Sequence, residues 1–124
     1  MREGAKCVIF LAPSLLFFRE GLRFVGKLER DFQAKLIKEL KELFPDCIIL
    51  KNDPTYKQGI ADLTILYGSK WATLEVKRSE KASHRPNQDY YVGRMDEMSF
   101  SRFIFPENKE EVLRELQSAL RSDR

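Results

Sequence analysis

The chain has 124 residues, which is enough for one domain with a hydrophobic core but not for a second domain. Hydrophobic residues make up 43% of it and charged residues 33%, an ordinary balance for a globular protein. The formal net charge is only +3, so overall charge gives no argument for nucleic-acid binding.

The N-terminal segment Cys7–Phe18 is mostly apolar and resembles the apolar region of a signal peptide, yet it is too short to span a bilayer. Arg19-Glu20 follows it, without a small-x-small cleavage site. We therefore interpret residues 1–25 as an N-terminal apolar extension and residues 26–124 as the main domain. Three interpretations of the extension stay open: a signal peptide, which the missing cleavage site disfavours, an accessory element that packs on the core, or an upstream addition from a misassigned start.

The rest of the chain predicts an α/β fold in the order helix, three strands, helix, strand, helix. Lys27–Phe44 has apolar residues at every fourth position, typical of an amphipathic helix, and Pro45 ends it. Cys47–Leu50 is predicted as a short buried strand, followed by a polar loop. The later elements are the strands Asp62–Tyr67 and Trp71–Lys77, the helix Pro86–Met98, the strand Phe100–Phe105 and the helix Glu107–Leu120.

Gly68-Ser69 suits the two-residue turn of a type II′ hairpin between the second and third strands. This register predicts that Asp62 faces Glu75, with their Cβ atoms roughly 5 Å apart. Like charges so placed repel each other, and the sheet gains nothing from the pair unless a cation lies between them or one is protonated. The opposite face of the hairpin is the predicted core: Leu63, Ile65, Tyr67, Ala72, Leu74 and Val76.

Lys77 alternates onto the same face as Asp62 and Glu75. Two carboxylates at this spacing suit Mg²⁺ or Mn²⁺ better than Zn²⁺, which prefers His or Cys. Such an ion polarises a phosphodiester and activates water, while a lysine offsets developing negative charge. The pattern favours phosphodiester hydrolysis. The plainer alternative is a solvent-facing charged strand with a weak surface ion pair.

Asp62, a hydrophobic strand and then Glu75-Val76-Lys77, in this order of elements, resemble the PD-(D/E)XK nuclease superfamily. Ala61 stands where the superfamily has the proline of its name, a position that is frequently replaced. Residues 27–120 are most similar to the small VRR-NUC-type and phage-type nucleases, which are related to archaeal Holliday junction resolvases. The closer similarity rests on Leu28-Glu29, Gln58–Asp62 and Pro86–Tyr91.

The resemblance implies a restriction-endonuclease-like αβββαβ core, with a mixed central sheet flanked by helices and a C-terminal helix. It implies that Asp62, Glu75 and the Val76 carbonyl are metal ligands and that Lys77 is the catalytic lysine.

Two further residues acquire roles from the resemblance. Glu29 would reach the site from the first helix, directly or through water, although any acid in a first helical turn also favours the helix dipole. Gln88 would support the site from the second helix, although it could merely cap that helix or face solvent.

Basic residues are concentrated near the candidate site, since residues 69–94 contain six bases and three acids, whereas residues 96–124 contain five bases and seven acids. A local basic surface suits phosphate binding, although a solvated face is the commoner origin of such a run. Candidate DNA contacts lie in the flanking loops: Tyr56, Lys57, Arg78, Lys81 and Arg85.

These observations predict a Mg²⁺- or Mn²⁺-dependent DNA endonuclease, with branched DNA or a Holliday junction as the first candidate substrate. A nicking or restriction-type enzyme is one alternative, and a non-cleaving nucleic-acid-binding module on the same fold is another. A homodimer is expected, because cutting two strands needs two sites.

Cys7 and Cys47 have neither metal-ligand nor disulfide-framework spacing, which favours a reducing cytoplasm. No membrane association is expected unless the apolar segment Cys7–Phe18 inserts.

Overall fold

The computed structural model describes residues 12–122, with side chains described from Gly26 to Ser122. The first helix, α1, spans Ala12–Leu43 and therefore begins inside the predicted N-terminal extension. Pro13 lies in its first turn, where proline is tolerated, and no further proline occurs before Pro45. The helix consequently continues through Gly26 without a break. The part of the apolar segment before Ala12 lies outside the described residues.

Within residues 12–122, no helix combines the length and the apolar character that crossing a membrane requires.

Four strands, β1 (Ile48–Lys51), β2 (Leu63–Tyr67), β3 (Lys70–Val76) and β4 (Ser101–Ile104), form one mixed sheet in that order. β1, β2 and β3 are antiparallel, and β4 runs parallel to β3 after a crossover through the helix α2, which spans Pro86–Met98. A short 3₁₀ turn, Pro106–Asn108, and the helix α3, Lys109–Arg121, follow β4. The mixed α/β class and the predicted order of elements are thereby confirmed.

The hydrophobic core lies between α1, α3 and one face of the sheet. The apolar face predicted for the hairpin is buried there, apart from the partly buried Tyr67. The apolar residues at every fourth position of the predicted helix Lys27–Phe44 are buried from Leu36 onward. Leu28, the first of them, is 44% exposed, contrary to the prediction of a continuous apolar face. Leu28 precedes Leu36 by roughly 12 Å along the helix axis and so lies beyond the packed region. Among the described side chains, the buried residues of α1 and α3 are Leu36, Leu40, Val112, Leu113, Leu116 and Leu120, with Phe44 just after α1.

The predicted burial of the first strand is wrong for two of its residues. Ile48 and Leu50 are 56% and 45% exposed. β1 is an edge strand, and both side chains point to the sheet face opposite the core, where α2 covers β3 and β4 instead.

The hairpin register follows the prediction, since Tyr67 pairs with Lys70, Thr64 with Thr73 and Leu63 with Leu74. A type II′ turn requires a positive φ at the first of its two central residues and not at the second. Gly68 has φ 62° and Ser69 has no positive φ, so both residues meet this requirement.

Two glycines with positive φ provide a matched test of the loop packing. A Cβ at Gly59, which has φ 89°, would lie 2.7–2.8 Å from Asn87 atoms, including a main-chain atom, whereas one at Gly68 would meet nothing within 4 Å. We expect Gly68→Ala to lower the free energy of unfolding by about 1–2 kcal/mol, from backbone strain alone. Gly59→Ala should cost roughly 1–3 kcal/mol more, because it also overpacks the contact with α2.

Urea denaturation of both variants measures the difference. Equal losses would show that the loop does not pack closely against the start of α2.

Candidate active site

The hairpin places the two predicted carboxylates opposite each other at its open end. The register Leu63↔Leu74 continues to Asp62 opposite Glu75, one residue beyond the last strand pair. Tyr67 and Lys70 close the two-residue turn as a hydrogen-bonded pair, so Asp62 and Glu75 occupy a position without main-chain hydrogen bonds between them. Side chains at such positions lie closest together.

Glu75 and Lys77 are buried beneath the start of α2. Glu75 is 3% exposed and Lys77 is 7% exposed. The alternative of a solvent-facing surface ion pair is therefore wrong for these residues. Lys77 Nζ lies 3.8 Å from Glu75 Oε2, so each charge has one opposite charge nearby within the protein. Removing a charged group from water costs free energy unless an opposite charge and hydrogen bonds compensate for the lost hydration. Glu75 and Lys77 therefore need such partners within the protein.

Gln88, from the first turn of α2, joins these two side chains. Its Nε2 donates to Glu75 Oε2 at 2.9 Å, and its Oε1 accepts from Lys77 Nζ at 2.8 Å and from the Arg85 amide at 3.0 Å. The last bond also anchors the beginning of α2. Gln88 thus combines the capping role and the supporting role that the sequence left as alternatives.

A main-chain group completes the hold on Lys77. Its Nζ donates to the Ser83 carbonyl at 3.1 Å, within the loop between β3 and α2. The ammonium is therefore fixed by Gln88 and Ser83 and is not free to extend into solvent.

Glu29 approaches the same site from α1. Burial raises the pKa of Glu29, the nearby Asp62 raises that pKa further, and Lys77 with the Arg78 main chain opposes the shift. Burial also raises the pKa of Asp62. The Val76 amide, which donates to Asp62 Oδ2 at 2.8 Å, and the charge of Lys77 both oppose this rise. The three acids predicted from sequence are thus brought together around Lys77.

Glu75 has the strongest electrostatic perturbation of the described residues. Burial and then Asp62 raise its pKa from 4.5 to about 8, while Lys77 opposes the shift. Its Oε1 is buried and has no hydrogen-bond partner among the described residues. A buried acceptor without a partner is costly unless another group satisfies it.

These observations fit a divalent cation of the magnesium type. When all three carboxylates are ionised, they outnumber the nearby cations Lys77 and Arg78 by one negative charge. Val76 donates its N–H toward Asp62, and because both polar groups of a strand residue point to the same side, its carbonyl faces Asp62 as well. Among the side chains that the structure describes, no three from His, Cys, Asp and Glu form a complete metal-binding group. Mg²⁺ is commonly held by one or two carboxylates with water and substrate phosphate.

A cleft of about 400 Å³ opens at the carboxylates, lined by Asp62, Glu75, Gln88 and Arg85 together with part of the loop between β1 and β2. Of the five predicted DNA contacts, Arg85 alone lines this cleft. Tyr56 and Lys57 line a neighbouring cavity, and Lys57 Nζ lies 5.7 Å from the Tyr91 ring centroid. Arg78 lies near Glu29, and Lys81 is exposed in the loop before α2.

Two residues that the sequence prediction did not include also contribute. Ser83 contacts Lys77, and Asn52 contacts the main chain next to Asp62. Ser83 contributes through a main-chain carbonyl, which leaves no signal in its residue type. Asn52 donates to the Ala61 carbonyl and to Thr64 Oγ1, both at 2.9 Å. An Asn directly after a strand was the available signal, because its side chain readily bonds to nearby main chain.

Comparisons with protein-family models, with curated proteins and with solved structures find no match to this chain. The resemblance to the PD-(D/E)XK superfamily stays a prediction that rests on the residues and their geometry.

The raised pKa of Glu75 predicts how stability depends on pH. In the unfolded chain Glu75 loses its proton near pH 4.5, whereas in the folded protein it keeps the proton until about pH 8. Its contribution to stability is therefore present below pH 4.5 and is lost as pH rises to about 8. In EDTA we expect the melting temperature to fall over this range, by about 4 °C for each kcal/mol lost. Glu75→Gln should flatten the decline.

Calorimetric melting curves of wild type, Glu75→Gln and the exposed Glu42→Gln measure this effect. Glu42 lies 13 residues beyond Glu29 on α1, roughly 20 Å along the axis, so its variant should follow wild type. A decline in Glu75→Gln as steep as in wild type would contradict the assignment.

Proposed function

We propose that the protein is a metal-dependent DNA endonuclease of the PD-(D/E)XK type that hydrolyses phosphodiester bonds. The observation that carries the proposal is the cluster of the partly buried Asp62 with the buried Glu75 and Lys77, in which Glu75 Oε1 has no hydrogen-bond partner among the described residues. A fold gains no stability from facing two carboxylates in this way. A bound cation that also binds phosphate would offset the repulsion between the two carboxylates.

Asp62, Glu75 and the Val76 carbonyl would hold Mg²⁺ or Mn²⁺. When bound, such an ion polarises the phosphodiester and makes water a better nucleophile at neutral pH. Of the two carboxylates, Asp62 uses Oδ2 for the Val76 amide and Glu75 uses Oε2 for Gln88 and Lys77. Asp62 Oδ1 and Glu75 Oε1 are the oxygens outside these bonds.

Lys77 would place a fixed positive charge beside the reacting phosphate. Gln88 and Ser83 hold its Nζ, so little reorganisation is needed when negative charge develops. Gln88 acts through Lys77 and Glu75 as a positioning residue. Glu29 adds a third carboxylate to the negative field that attracts the cation.

The loops around the cleft would bind the DNA backbone. Arg85 lies in the cleft itself, and Tyr56, Lys57, Arg78 and Lys81 would extend this contact over the flanking loops. We propose branched DNA as the first substrate to test, a homodimer as the active form and the cytoplasm as the location.

A second candidate is a nucleic-acid-binding module that does not cleave. It is favoured by the basic residues in the loops around the cleft, Arg85 among them, which can contact phosphate without a metal. Whether the protein cleaves DNA in the presence of Mg²⁺ or Mn²⁺ distinguishes the two functions.

Cleavage of supercoiled plasmid and of a synthetic four-way junction, in Mg²⁺, Mn²⁺ or EDTA, tests the proposal. We expect cutting in both metals and none in EDTA. Asp62→Asn and Lys77→Met preserve shape while removing charge, and each should lower the cleavage rate by about 100-fold or more. Glu42→Gln, an exposed acid far along α1, should cut like wild type.

DNA binding in EDTA should persist in both site variants. Binding by wild type without cleavage in either metal would overturn the nuclease proposal in favour of the binding module. Cleavage that survives Asp62→Asn would place the chemistry elsewhere.

The dependence of DNA affinity on salt tests the proposed interface. Each phosphate contact contributes about 0.9 to the slope of log affinity against log salt concentration. We expect Arg85→Ala to reduce this slope by about 1, measured by fluorescence anisotropy on a labelled duplex in EDTA. Arg114→Ala, an exposed arginine on α3, should leave the slope unchanged. An unaltered slope in Arg85→Ala would exclude the cleft as a phosphate contact.

A further inference from the structure

The hydrogen-bond ladder between β2 and β3 stops one pair earlier than its register allows. With Tyr67–Lys70 as a hydrogen-bonded pair, every second pair is bonded, and the next in line would join Ala61 and Val76. In a regular ladder the Val76 amide would donate to the Ala61 carbonyl. It donates instead to Asp62 Oδ2, at 2.8 Å.

Asn52 occupies the carbonyl that the ladder would have used. Its Nδ2 donates to the Ala61 carbonyl at 2.9 Å and to Thr64 Oγ1 at 2.9 Å, and its main-chain amide donates to the Asp62 carbonyl at 2.8 Å. Asn52 directly follows β1, which lies on the other side of β2 from β3. The bond therefore draws the Ala61 carbonyl away from Val76.

The residue type matters because two donor hydrogens on one short side chain are needed. The amide of asparagine carries both, whereas aspartate carries none and serine only one. Asn52 Nδ2 uses both hydrogens, on Ala61 and on Thr64.

We propose that Asn52 is a positioning residue for Asp62: by holding the Ala61 carbonyl, it leaves the Val76 amide to the Asp62 carboxylate and thereby fixes the orientation of that carboxylate. Oδ2 is committed to the main chain, and Oδ1 keeps a defined direction for a cation. The consequence for metal binding rests on the proposed function, whereas the exchange of hydrogen bonds does not.

Nuclear magnetic resonance detects this exchange directly, through the scalar coupling that a hydrogen bond transmits from an amide nitrogen to the acceptor carbon. In wild type we expect the Val76 nitrogen to couple to the Asp62 side-chain carbon. A coupling to the Ala61 carbonyl carbon in its place would overturn the proposal, and this measurement requires no variant.

Two variants separate the Ala61 bond from the Thr64 bond. Asn52→Leu removes both donors at similar volume, and we expect the Val76 coupling to move to Ala61. Thr64→Val removes only the other acceptor of Asn52, so the coupling to Asp62 should remain. Retention of the Asp62 coupling in a folded Asn52→Leu protein would show that Asn52 does not control it.

Mn²⁺ binding, measured by titration calorimetry without DNA, tests the consequence. Outer residues that orient a metal ligand typically contribute tenfold or more to affinity, so Asn52→Leu should bind Mn²⁺ at least about tenfold more weakly. In cleavage, kcat should fall while KM for DNA is unchanged. Unchanged Mn²⁺ affinity, despite a shifted coupling, would overturn the proposed effect of Asn52 on metal binding.

The outcomes also distinguish this inference from the proposed function. If wild type neither binds Mn²⁺ nor cuts DNA, but the Val76 coupling shifts in Asn52→Leu, the nuclease proposal fails. The control of Asp62 orientation by Asn52 then stands as a property of the fold.

Discussion

The electrostatic conflict between Asp62 and Glu75 is the constraint on which the rest of the site depends. The hairpin register sets them opposite each other, and α2 then removes Glu75 from water. Burial, and then the neighbouring Asp62, disfavour the charged form of Glu75 and raise its pKa to about 8. Folding alone gives no reason for this arrangement. The neighbouring contacts are best understood as ways of holding these carboxylates in place despite their repulsion.

Those contacts come from two directions and meet at the end of β3. From α2, Gln88 ties Glu75 to Lys77, and the Ser83 carbonyl limits the movement of the lysine. From the loop side, Asn52 reorganises the end of the ladder so that the Val76 amide serves Asp62. Each carboxylate thus has one oxygen bound to the protein. A partly satisfied buried network is unfavourable for stability, and it is common where a ligand supplies the missing interactions.

The acids and the lysine lie on or beside regular secondary structure, whereas the proposed DNA contacts lie in loops. Glu75 belongs to β3, Gln88 to α2 and Glu29 to α1. Packed elements keep such side chains within narrow limits, as the proposed chemistry on a phosphodiester would require. The loops carrying Lys57 and Arg85 lie around the cleft, where surface segments can match the shape of a nucleic acid.

Features that depend on residues close together in the chain could be predicted from the sequence. Alternating side chains and the Gly68-Ser69 turn predicted the hairpin, its core face and the opposition of Asp62 and Glu75, because turn length fixes register. Burial and contacts between distant parts of the chain depend instead on how the helices and loops pack on the sheet. Ile48 is exposed because α2 covers β3 and β4 and leaves β1 open, and Lys77 is buried because α2 begins above it. The roles of Ser83 and Asn52 depend on where the folded loops bring their polar groups, which no local pattern specifies.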